Sequence, residues 1–309
     1  MKIIKNLNEI KNNSKPCSIT IGNFDGMHKG HRELIEKTVD LAKKSNLIPT
    51  VMSFDPLPEE YFNIPNFFRL MEDDDKIDAF NELGIKQIIL LPFTKEFSQI
   101  EANDFIFDIL LRKLNTKIIT IGKEFRFGYK RKGDLKLLNQ YHQKKFSLFK
   151  IDILSIDNNK IGSSYIRKLL IDGQINKANQ LLRKPFTISG AVMDGEKRGR
   201  KLGYPTANIE IYKSYPINGI FLVEVLIDGK DKHHGLASIG NKPTFSGKND
   251  VLEVFIFDFD SDIYKKNLKV YFVEKIREQI KFKNENDLKT QMNEDYKKAI
   301  QILNKINGL

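Results

Sequence analysis

Residues 22–31 read Gly-Asn-Phe-Asp-Gly-Met-His-Lys-Gly-His and stand between a predicted strand and a predicted helix. The strand is the apolar run Cys17 to Ile21, and the helix spans His31 to Lys44, where apolar residues recur at helical spacing. At such a helix start, His28 and His31 share one face beside backbone N–H groups that favour anions. By itself, His-x-Gly-His is as often chance or core packing as a site. Within this Gly-rich strand-to-helix turn it predicts an anion site, where Gly30 leaves room for a nucleotide.

Strands and helices alternate through about residue 180. The further predicted elements are the strand Leu47 to Phe54, the helix Asp73 to Leu83, the strand Gln87 to Leu91, the helix Ala102 to Leu114, and the strands Lys117 to Ile121 and Ser147 to Ile153. This alternation predicts a Rossmann-like α/β domain with an open parallel sheet covered on both faces. Ligands bind at the carboxyl ends of such strands, where Gly22 and Gly122 stand.

After Arg183-Lys184-Pro185 the pattern changes to short alternating runs punctuated by Gly, Pro, Asn and Asp. The runs are Phe186 to Val192, Thr206 to Ile211, Gly219 to Ile227, Leu236 to Ile239, Val251 to Phe257 and Lys269 to Ile276. They predict a small antiparallel β-barrel, followed by a terminal helix over Glu285 to Asn307. We therefore expect an α/β domain over residues 1–184 and an all-β domain over residues 185–309.

The composition narrows the class of protein. Lys and Arg total 51 against 40 Asp and Glu, a net charge of +11, but the excess is mostly lysine scattered along the chain. Without a basic block we expect a solvated lysine surface and no nucleic-acid partner. The one cysteine excludes a disulfide framework, and no apolar run is long enough for a membrane span. We expect a soluble, cytoplasmic protein without a membrane partner; an oligomer is compatible with the sequence but not implied.

Two further segments of the first half are suited to a nucleotide or a flat ring. Ser163 and Ser164 begin a helical run with Arg167, which offers hydroxyls and a guanidinium for pyrophosphate; an ordinary serine cap explains the same pattern more often. Phe125 and Phe127 alternate within a glycine-bracketed loop after a strand, which suits a flat ring. Packed phenylalanines on an edge strand explain that loop equally well.

The second half carries a Gly-rich basic stretch, residues 190–208, that could wrap phosphates with its amides. It is not a P-loop, because Gly-x-x-x-x-Gly-Lys-Ser/Thr occurs nowhere in the chain. Thr206 and Asn208 are two apart on a predicted strand, so their oxygens project on one face and could hold Mg²⁺ between phosphates. A hairpin with basic turns is the alternative.

Both halves together resemble the bacterial bifunctional riboflavin kinase/FMN adenylyltransferases, or FAD synthetases; the first half also resembles the wider nucleotidyltransferase family. The matching motifs are the histidine loop, Pro205 to Asn208, Ile239 to Phe245, Leu252 to Phe255, Ile276 to Glu278, and Lys281 with Phe282. The resemblance implies that the second half phosphorylates riboflavin with ATP, and that the first half adenylylates FMN to FAD and releases pyrophosphate. It implies Mg²⁺ as cofactor, ATP as co-substrate, and riboflavin and FMN as small-molecule substrates.

The resemblance also assigns residues. Catalytic roles fall to His28 and His31 and, as the base for the ribityl 5′-hydroxyl, to Glu253. ATP or phosphate binding for adenylyl transfer is expected of Gly22, Asn23, Phe24, Asp25, Gly30, Ser163, Ser164 and Arg167, and flavin or nucleotide binding of Asp55, Glu124, Phe125 and Phe127. ATP binding by the kinase half is expected of Gly195, Arg198, Gly199, Arg200, Lys201, Gly203, Thr206 and Asn208, the last two also holding the metal. Arg277 and Glu278 are expected near the flavin.

The chain departs from the family pattern at Leu57, Glu124, Tyr165, Lys242 and Phe255. None of these removes a residue assigned to catalysis, so we expect both reaction types to survive. Two alternatives stay open: an enzyme with only one active half, and a basic flavin- or nucleic-acid-binding regulator on a catalytically inactive scaffold.

Overall fold

The computed structural model describes residues 1–10, 15–152, 155–156, 159–193, 203–211, 215–240 and 251–308. These residues form two compact units, Met1–Tyr165 and Ile166–Leu309. The units divide earlier than residue 184, because helix Ile175–Leu181 packs on strand Asn267–Arg277 of the second unit. The functional domain boundary after residue 184 stays a prediction.

The first unit alternates strands and helices. Its strands are β1 (Lys2–Ile4), β2 (Cys17–Ile21), β3 (Ile48–Phe54), β4 (Gln87–Leu91), β5 (Thr116–Gly122), β6 (Ser147–Ile151), β7 (Ser155–Ile156) and β8 (Asn159–Lys160). Its helices are α1 (Lys29–Lys44), α2 (Pro58–Tyr61), α3 (Asp73–Glu82), α4 (Lys95–Ser98), α5 (Ala102–Asp104), which continues as a π-helix over Phe105–Lys113, and α6 (Leu135–Tyr141), with 3₁₀ turns at Leu7–Glu9 and Tyr129–Arg131. Helix α7 (Ser163–Ile171) begins at its end.

The main sheet has the order β1-β4-β3-β2-β5-β6, and all its pairs are parallel. The predicted open parallel sheet is confirmed. Its strands are apolar on both faces because helices cover both: Val51 and Ile88 pack with α1 and α3, whereas Met52 and Ile89 pack toward the π-helix. In the sheet, β3 and then β4 lie on one side of β2, whereas the later strand β5 lies on its other side, so the strand order reverses at β2. The reversal opens a crevice at the carboxyl ends of β2 and β5.

One helix of this unit differs from its prediction. Apolar spacing predicts a single α-helix over Ala102 to Leu114, but the backbone widens into a π-helix, with the N–H of Leu114 donating to the carbonyl of Ile109 at 3.0 Å. Phe105 and Ile106 of this π-helix are buried in the core. Hydrophobic periodicity predicted a helix here but did not distinguish the α-helical from the π-helical hydrogen-bond register.

The second unit is a closed antiparallel barrel with flanking helices. It contains α8 (Ile175–Leu181), β9 (Thr187–Met193), β10 (Thr206–Glu210), β11 (Gly219–Ile227), β12 (Asp231–Gly240), β13 (Val251–Ile256), β14 (Asn267–Arg277) and α9 (Glu285–Asn307). The barrel order is β10-β13-β12-β11-β14-β9. The predicted barrel and terminal helix are confirmed.

The barrel interior is apolar, because alternate residues of each strand point inward. Phe221 and Phe272 lie there at 5.3 Å between ring centroids. Outside the barrel, α9 packs Ala299 and Leu303 against Leu222. No helix in the described part of the chain combines the length and apolar character needed to cross a membrane.

Candidate active sites

The loop between β2 and α1 starts at the crevice of the parallel sheet. Phe24, Gly26 and Met27 all have positive φ angles, of 51°, 81° and 43°. This backbone region is unfavourable for side chains other than glycine, so packing must offset the strain. Phe24 and Met27 are fully buried, and the Phe24 ring makes edge contacts with His31 and Phe80. The loop is therefore held in one conformation by its own core residues.

The two predicted histidines meet in this loop. The rings of His28 and His31 stack with centroids 3.6 Å apart and planes at 22°. His28 caps α1, since its Nδ1 accepts the backbone N–H of His31 at 3.4 Å. A Cβ built on Gly30 would contact only the His28 ring within 4 Å, at 3.5 Å. The histidine pair is thus part of the helix start, where His28 is buried and His31 contacts the core residue Phe24.

Both histidines are neutral at pH 7. Burial, and then the charge of Arg32, lowers the pKa of His28 to about 4. Burial, and then His28, holds the pKa of His31 well below its usual value. Because Nδ1 of His28 accepts a hydrogen bond, its proton resides on Nε2, which is a donor. Nδ1 of His31 is buried without a hydrogen-bond partner in the described residues. The pair therefore offers neutral donors to an anion.

Asp25 connects the histidine loop to two neighbouring segments. Its Oδ1 accepts the N–H of Leu70 at 2.9 Å, and its carbonyl accepts the hydroxyl of Ser163 at 2.9 Å. Asp25 is buried, so these bonds fix the loop rather than bind ligand through its carboxylate. Asn23 donates to both oxygens of Glu59, at 2.9 and 2.7 Å. Glu59 was not predicted as a site residue, because it lies 36 residues further along the chain.

Asp55 follows β3 at the same edge of the sheet and belongs to a charged network. Arg69 donates to Asp55 at 2.7 Å, to both oxygens of Glu60, and to Asp73 at 2.5 Å. Burial disfavours the charged guanidinium and by itself lowers the pKa of Arg69. The carboxylates of Glu60, Asp55 and Asp73 have the larger combined effect, so the pKa of Arg69 is raised above its usual value. Arg69 was not predicted as a site residue. It holds the predicted residue Asp55 in place.

The loop after β5 contains three residues predicted to bind flavin or nucleotide, and the structure places them in different surroundings. Phe127 is a core residue, 7% exposed, held by paired backbone bonds with Gly133, so its ring is not an open surface. Phe125 is only partly buried and stacks on Phe127, 5.5 Å apart. Glu124 is exposed and pairs with Lys160. Packing therefore accounts for Phe127, and contact with a flavin stays a prediction for Phe125 and Glu124.

An aromatic cluster that the sequence reading missed lies beyond Asp55. Phe62 is 57% exposed and contacts Tyr61 and Phe93 at 5.1 and 5.7 Å. Phe93 continues inward to Phe54, the last residue of β3, at 5.5 Å. An exposed aromatic ring supported from below suits a flat apolar ligand. No single motif marks the cluster, because its members come from three separate segments.

The barrel brings together the predicted kinase residues Thr206, Asn208 and Glu253. Asn208 of β10 pairs with Glu253 of β13, which pairs on its other side with Ser238 of β12. Their chain neighbours, such as Leu252 and Val254, are buried inside the barrel. The three polar side chains therefore share the outer face, as does Thr206, two residues before Asn208.

A cavity of about 280 Å³ lies beside Thr206. Its lining combines apolar side chains of the barrel with polar residues of the loop after β13. They include Val192, Val254, Ile256, Thr206, Asp260 and Tyr264. An apolar cavity with a few polar groups at its edge is typical of a small-ligand site.

Comparisons with known proteins agree with this two-site arrangement. A family model described as FAD synthetase matches residues 10–165, and one described as riboflavin kinase matches residues 182–303. The chain belongs to the bifunctional riboflavin kinase/FMN adenylyltransferase family. A member from Buchnera aphidicola subsp. Schizaphis graminum is 39% identical over 301 residues, 96% of each chain, and one from Escherichia coli (strain K12) is 35% identical over 303 residues, again 96% of each.

A solved structure shares the whole architecture. It is titled a macrolide-efflux protein from Streptococcus pneumoniae, is 30% identical, and superposes with a TM-score of 0.82 over 96% of this chain and 97% of its own. The family models give the order of the two activities along the chain: FAD synthetase first, riboflavin kinase second.

Within this family member, the structure gives Arg277 a role that its sequence motif did not suggest. Its guanidinium makes a two-pronged contact with Asp295 of α9, at 2.8 and 2.7 Å, and donates to the carbonyl of Glu278. Asp295 is 4% exposed. Glu278 pairs with Lys275 at 2.6 Å. Arg277 therefore anchors α9 on β14, and flavin contact by Arg277 or Glu278 stays a prediction.

The remaining predicted residues divide into two groups. Ser164 is exposed in the first turn of α7, and Arg167 lies one turn later, in the second compact unit. Gly195, Arg198, Gly199, Arg200, Lys201 and Lys242 lie outside the described residues. Of the departures from the family pattern, Leu57 is buried and Phe255 packs on Tyr204 at 5.1 Å.

Proposed function

We propose that adenylyl transfer takes place at the crevice of the parallel sheet, with His28 and His31 as neutral hydrogen-bond donors. An oxygen of the FMN phosphate attacks the α-phosphorus of ATP, forming the new P–O bond of FAD while the bond to pyrophosphate breaks. The FMN phosphate is largely dianionic at pH 7, since its second pKa is about 6, so no base is required. The work of the site is positioning and stabilisation of charge on the leaving pyrophosphate.

The loop backbone and α7 supply the rest of this site. The segment Gly22 to Asp25 is fixed by core packing and by the Ser163 bond, so it offers a preformed cradle for ATP. Ser164 and Arg167 are assigned to the phosphates by the family motif. The isoalloxazine ring is assigned to the accessible aromatic rings after the carboxyl ends of β3 and β5, which include Phe62 and Phe125.

We propose that the kinase reaction takes place on the outer face of the barrel, with Glu253 as the base. Glu253 takes the proton of the ribityl 5′-hydroxyl, the oxygen attacks the γ-phosphorus of ATP, and ADP leaves. The register of Glu253 beside Asn208 is the observation that carries this assignment, because it brings a carboxylate next to the proposed phosphate site. The cavity beside Thr206 is assigned to the nucleotide base.

Thr206 and Asn208 fit a magnesium site. Mg²⁺ takes hard oxygen ligands and leaves most positions to water and substrate phosphate, and both side chains lie on one face of β10. When bound, the ion neutralises charge on the ATP phosphates. The chain's own part is to hold those two oxygens beside Glu253. We also propose that the enzyme works in the cytoplasm on small molecules only, without nucleic acid.

One product assay tests both assignments. The chain is incubated with riboflavin, ATP and Mg²⁺, and FMN is resolved from FAD. We expect both products, with His28→Ala abolishing FAD formation and sparing FMN formation, and Glu253→Ala abolishing FMN formation while FMN supplied to it is still converted to FAD. Lys29→Ala and Glu224→Gln, neither of them assigned to a site, are the matched controls.

The alternatives make different predictions in this assay. FMN that accumulates without FAD in the unmodified chain would leave only the kinase half active. A regulator on an inactive scaffold would give no product and binding that weakens steeply with salt. Either result would overturn the bifunctional assignment.

A further inference from the structure

Arg69 connects a polar and an aromatic part of the proposed flavin site. Its guanidinium donates to Oδ1 of Asp55 at 2.7 Å and to the two carboxylate oxygens of Glu60 at 2.7 and 2.5 Å. We propose that Arg69 is a positioning residue that sets the affinity for FMN in adenylyl transfer, because it holds the Asp55 carboxylate and helix α2 in the arrangement that receives the flavin. This inference rests on the proposed assignment of the flavin to this edge of the sheet.

The Asp55 carboxylate is oriented by Arg69 through one of its two oxygens. Oδ1 accepts the guanidinium, whereas Oδ2 has no hydrogen-bond partner within the described part of the chain, and the side chain is 47% exposed. A carboxylate accepts hydrogen bonds only. FMN has donors in its ribityl hydroxyls and in the imide N–H of its ring, and none in its phosphate dianion. Asp55 therefore suits the ribityl chain or the ring edge of FMN.

The same guanidinium holds the helix that precedes the exposed aromatic ring. Glu60 lies in α2 and accepts the N–H of Leu57 at 2.9 Å, at the start of that helix. Phe62 follows α2 directly, and its N–H donates to the carbonyl of Pro58 at 3.0 Å. Because Arg69 binds Glu60 and Asp55 together, it fixes the carboxylate relative to the helix that carries the ring. A hydrogen-bond acceptor close to an aromatic surface suits a flat ligand with donor groups.

The backbone around Arg69 is fixed independently of its side chain. The flanking residues Phe68 and Leu70 are buried, and the N–H of Leu70 donates to Oδ1 of Asp25 at 2.9 Å. The Arg69 side chain is only 10% exposed and has a third carboxylate partner in Asp73, at 2.5 Å. A substitution that keeps the charge of Arg69 should therefore change the arrangement of the carboxylates and leave the histidine loop in place.

The test replaces Arg69 with lysine, which keeps the charge but lacks the planar set of donors that spans several carboxylates. FMN and ATP are supplied to the full chain, and FAD formation gives kcat and both KM values. We expect the KM for FMN to rise by about tenfold, the size of one misdirected charge-assisted hydrogen bond. The KM for ATP and kcat should stay within about twofold, because a contact that is equal in the ground state and the transition state changes KM alone.

Two controls accompany this variant. Arg112→Lys replaces an exposed arginine that pairs with Asp108 at 3.2 Å and belongs to no proposed site, so it should leave kcat and both KM values unchanged. Formation of FMN from riboflavin by the Arg69→Lys preparation should also be unchanged. An unchanged KM for FMN in Arg69→Lys, an equal rise in the KM for ATP, or a lower kcat with both KM values unchanged would each overturn the role of Arg69.

A comparison with Asp55→Ala separates this inference from the one on which it rests. Asp55→Ala should itself raise the KM for FMN, and adding Arg69→Lys should then have a smaller effect than in the unmodified chain, because both changes remove the same contact. A full additional tenfold rise would overturn the action through Asp55. An unchanged KM for FMN in Asp55→Ala would instead overturn the proposed flavin contact of Asp55. If Arg69→Lys does not fold, Asp55→Glu, which displaces the carboxylate by one methylene, should raise the KM for FMN, and an unchanged KM there would refute the proposal.

Discussion

The anchoring of α9 by Arg277 can be tested by replacing this residue with methionine. The change removes the three N–H···O contacts to Asp295, at 2.7 to 3.1 Å. That carboxylate then stays buried, with the Gln291 amide at 3.1 Å as its remaining side-chain donor among the described residues. Breaking a buried ion pair by removing one partner costs about 3–5 kcal/mol. We expect about 3 kcal/mol, the lower end, because the Arg277 side chain is 18% exposed.

Urea unfolding of the full chain measures this loss. For a slope of about 2 kcal/mol per molar urea, 3 kcal/mol corresponds to a midpoint about 1.5 M lower for the barrel unit. The chain has no tryptophan, so far-ultraviolet circular dichroism reports unfolding, and loss of FMN formation identifies the barrel transition. The double variant Arg277→Met with Asp295→Leu should recover most of the stability, since no uncompensated charge remains.

Two results would refute this reasoning. An unchanged midpoint in Arg277→Met would mean that the ion pair does not hold α9 on the barrel. Equal destabilisation of the single and double variants would mean that the lost contacts, rather than an unpaired buried charge, explain the effect. A raised KM for riboflavin in Arg277→Lys, without any stability change, would favour the flavin contact predicted from the sequence.

Two further predictions concern the first unit. Because burial lowers the pKa of His28 from 6.5 to about 4 in the folded chain, the unfolded chain binds more protons between these values, so stability falls as pH falls. From pH 7 to pH 5 the loss in the free energy of unfolding from this group should be about 2 kcal/mol. His28→Asn should weaken the dependence of the urea midpoint on pH. An unaltered dependence would contradict this prediction. Gly128 has a φ of 71°, and a Cβ there would lie 2.7 Å from Cα of Ala102. Gly128→Ala should therefore cost about 1–3 kcal/mol, whereas Gly162→Ala, which meets nothing within 4 Å, should cost less; equal urea midpoints would refute this.

Much of the fold could be predicted because local pattern and burial agree. β4 and β11 have the predicted bounds. The parallel strand β4 is covered on both faces and is a continuous apolar run, whereas the barrel strand β11 alternates inward-facing apolar residues with outward-facing ones. β1 was missed because its three residues, Lys2–Ile4, are too few to show a period. This segment forms a strand through its pairing with β4, more than eighty residues away in the chain.

The candidate sites were predictable where one motif carries the chemistry and not where distant residues combine. The histidine pair could be predicted from residues within a single loop. Thr206 and Asn208 could be predicted from the alternation of side chains along a single strand. The roles of Arg69 and Arg277 depend on partners in other segments, which spacing along the chain cannot indicate. Phe127 shows a different reason for error. Alternating aromatic residues beside a site have the same sequence pattern whether they contact a ligand or pack in the core.

Mixing two single variants tests the central claim most directly, that the chain carries two separate reactions, adenylyl transfer at the histidine loop and riboflavin phosphorylation at Glu253. His28→Ala and Glu253→Ala are each incubated with riboflavin, ATP and Mg²⁺, separately and together. We expect FMN alone from the first, no product from the second, and FAD from the mixture, because FMN released by one chain is a substrate for the other. Loss of FMN formation in His28→Ala, or a mixture that makes no FAD, would contradict the assignment of the two reactions to two separate sites.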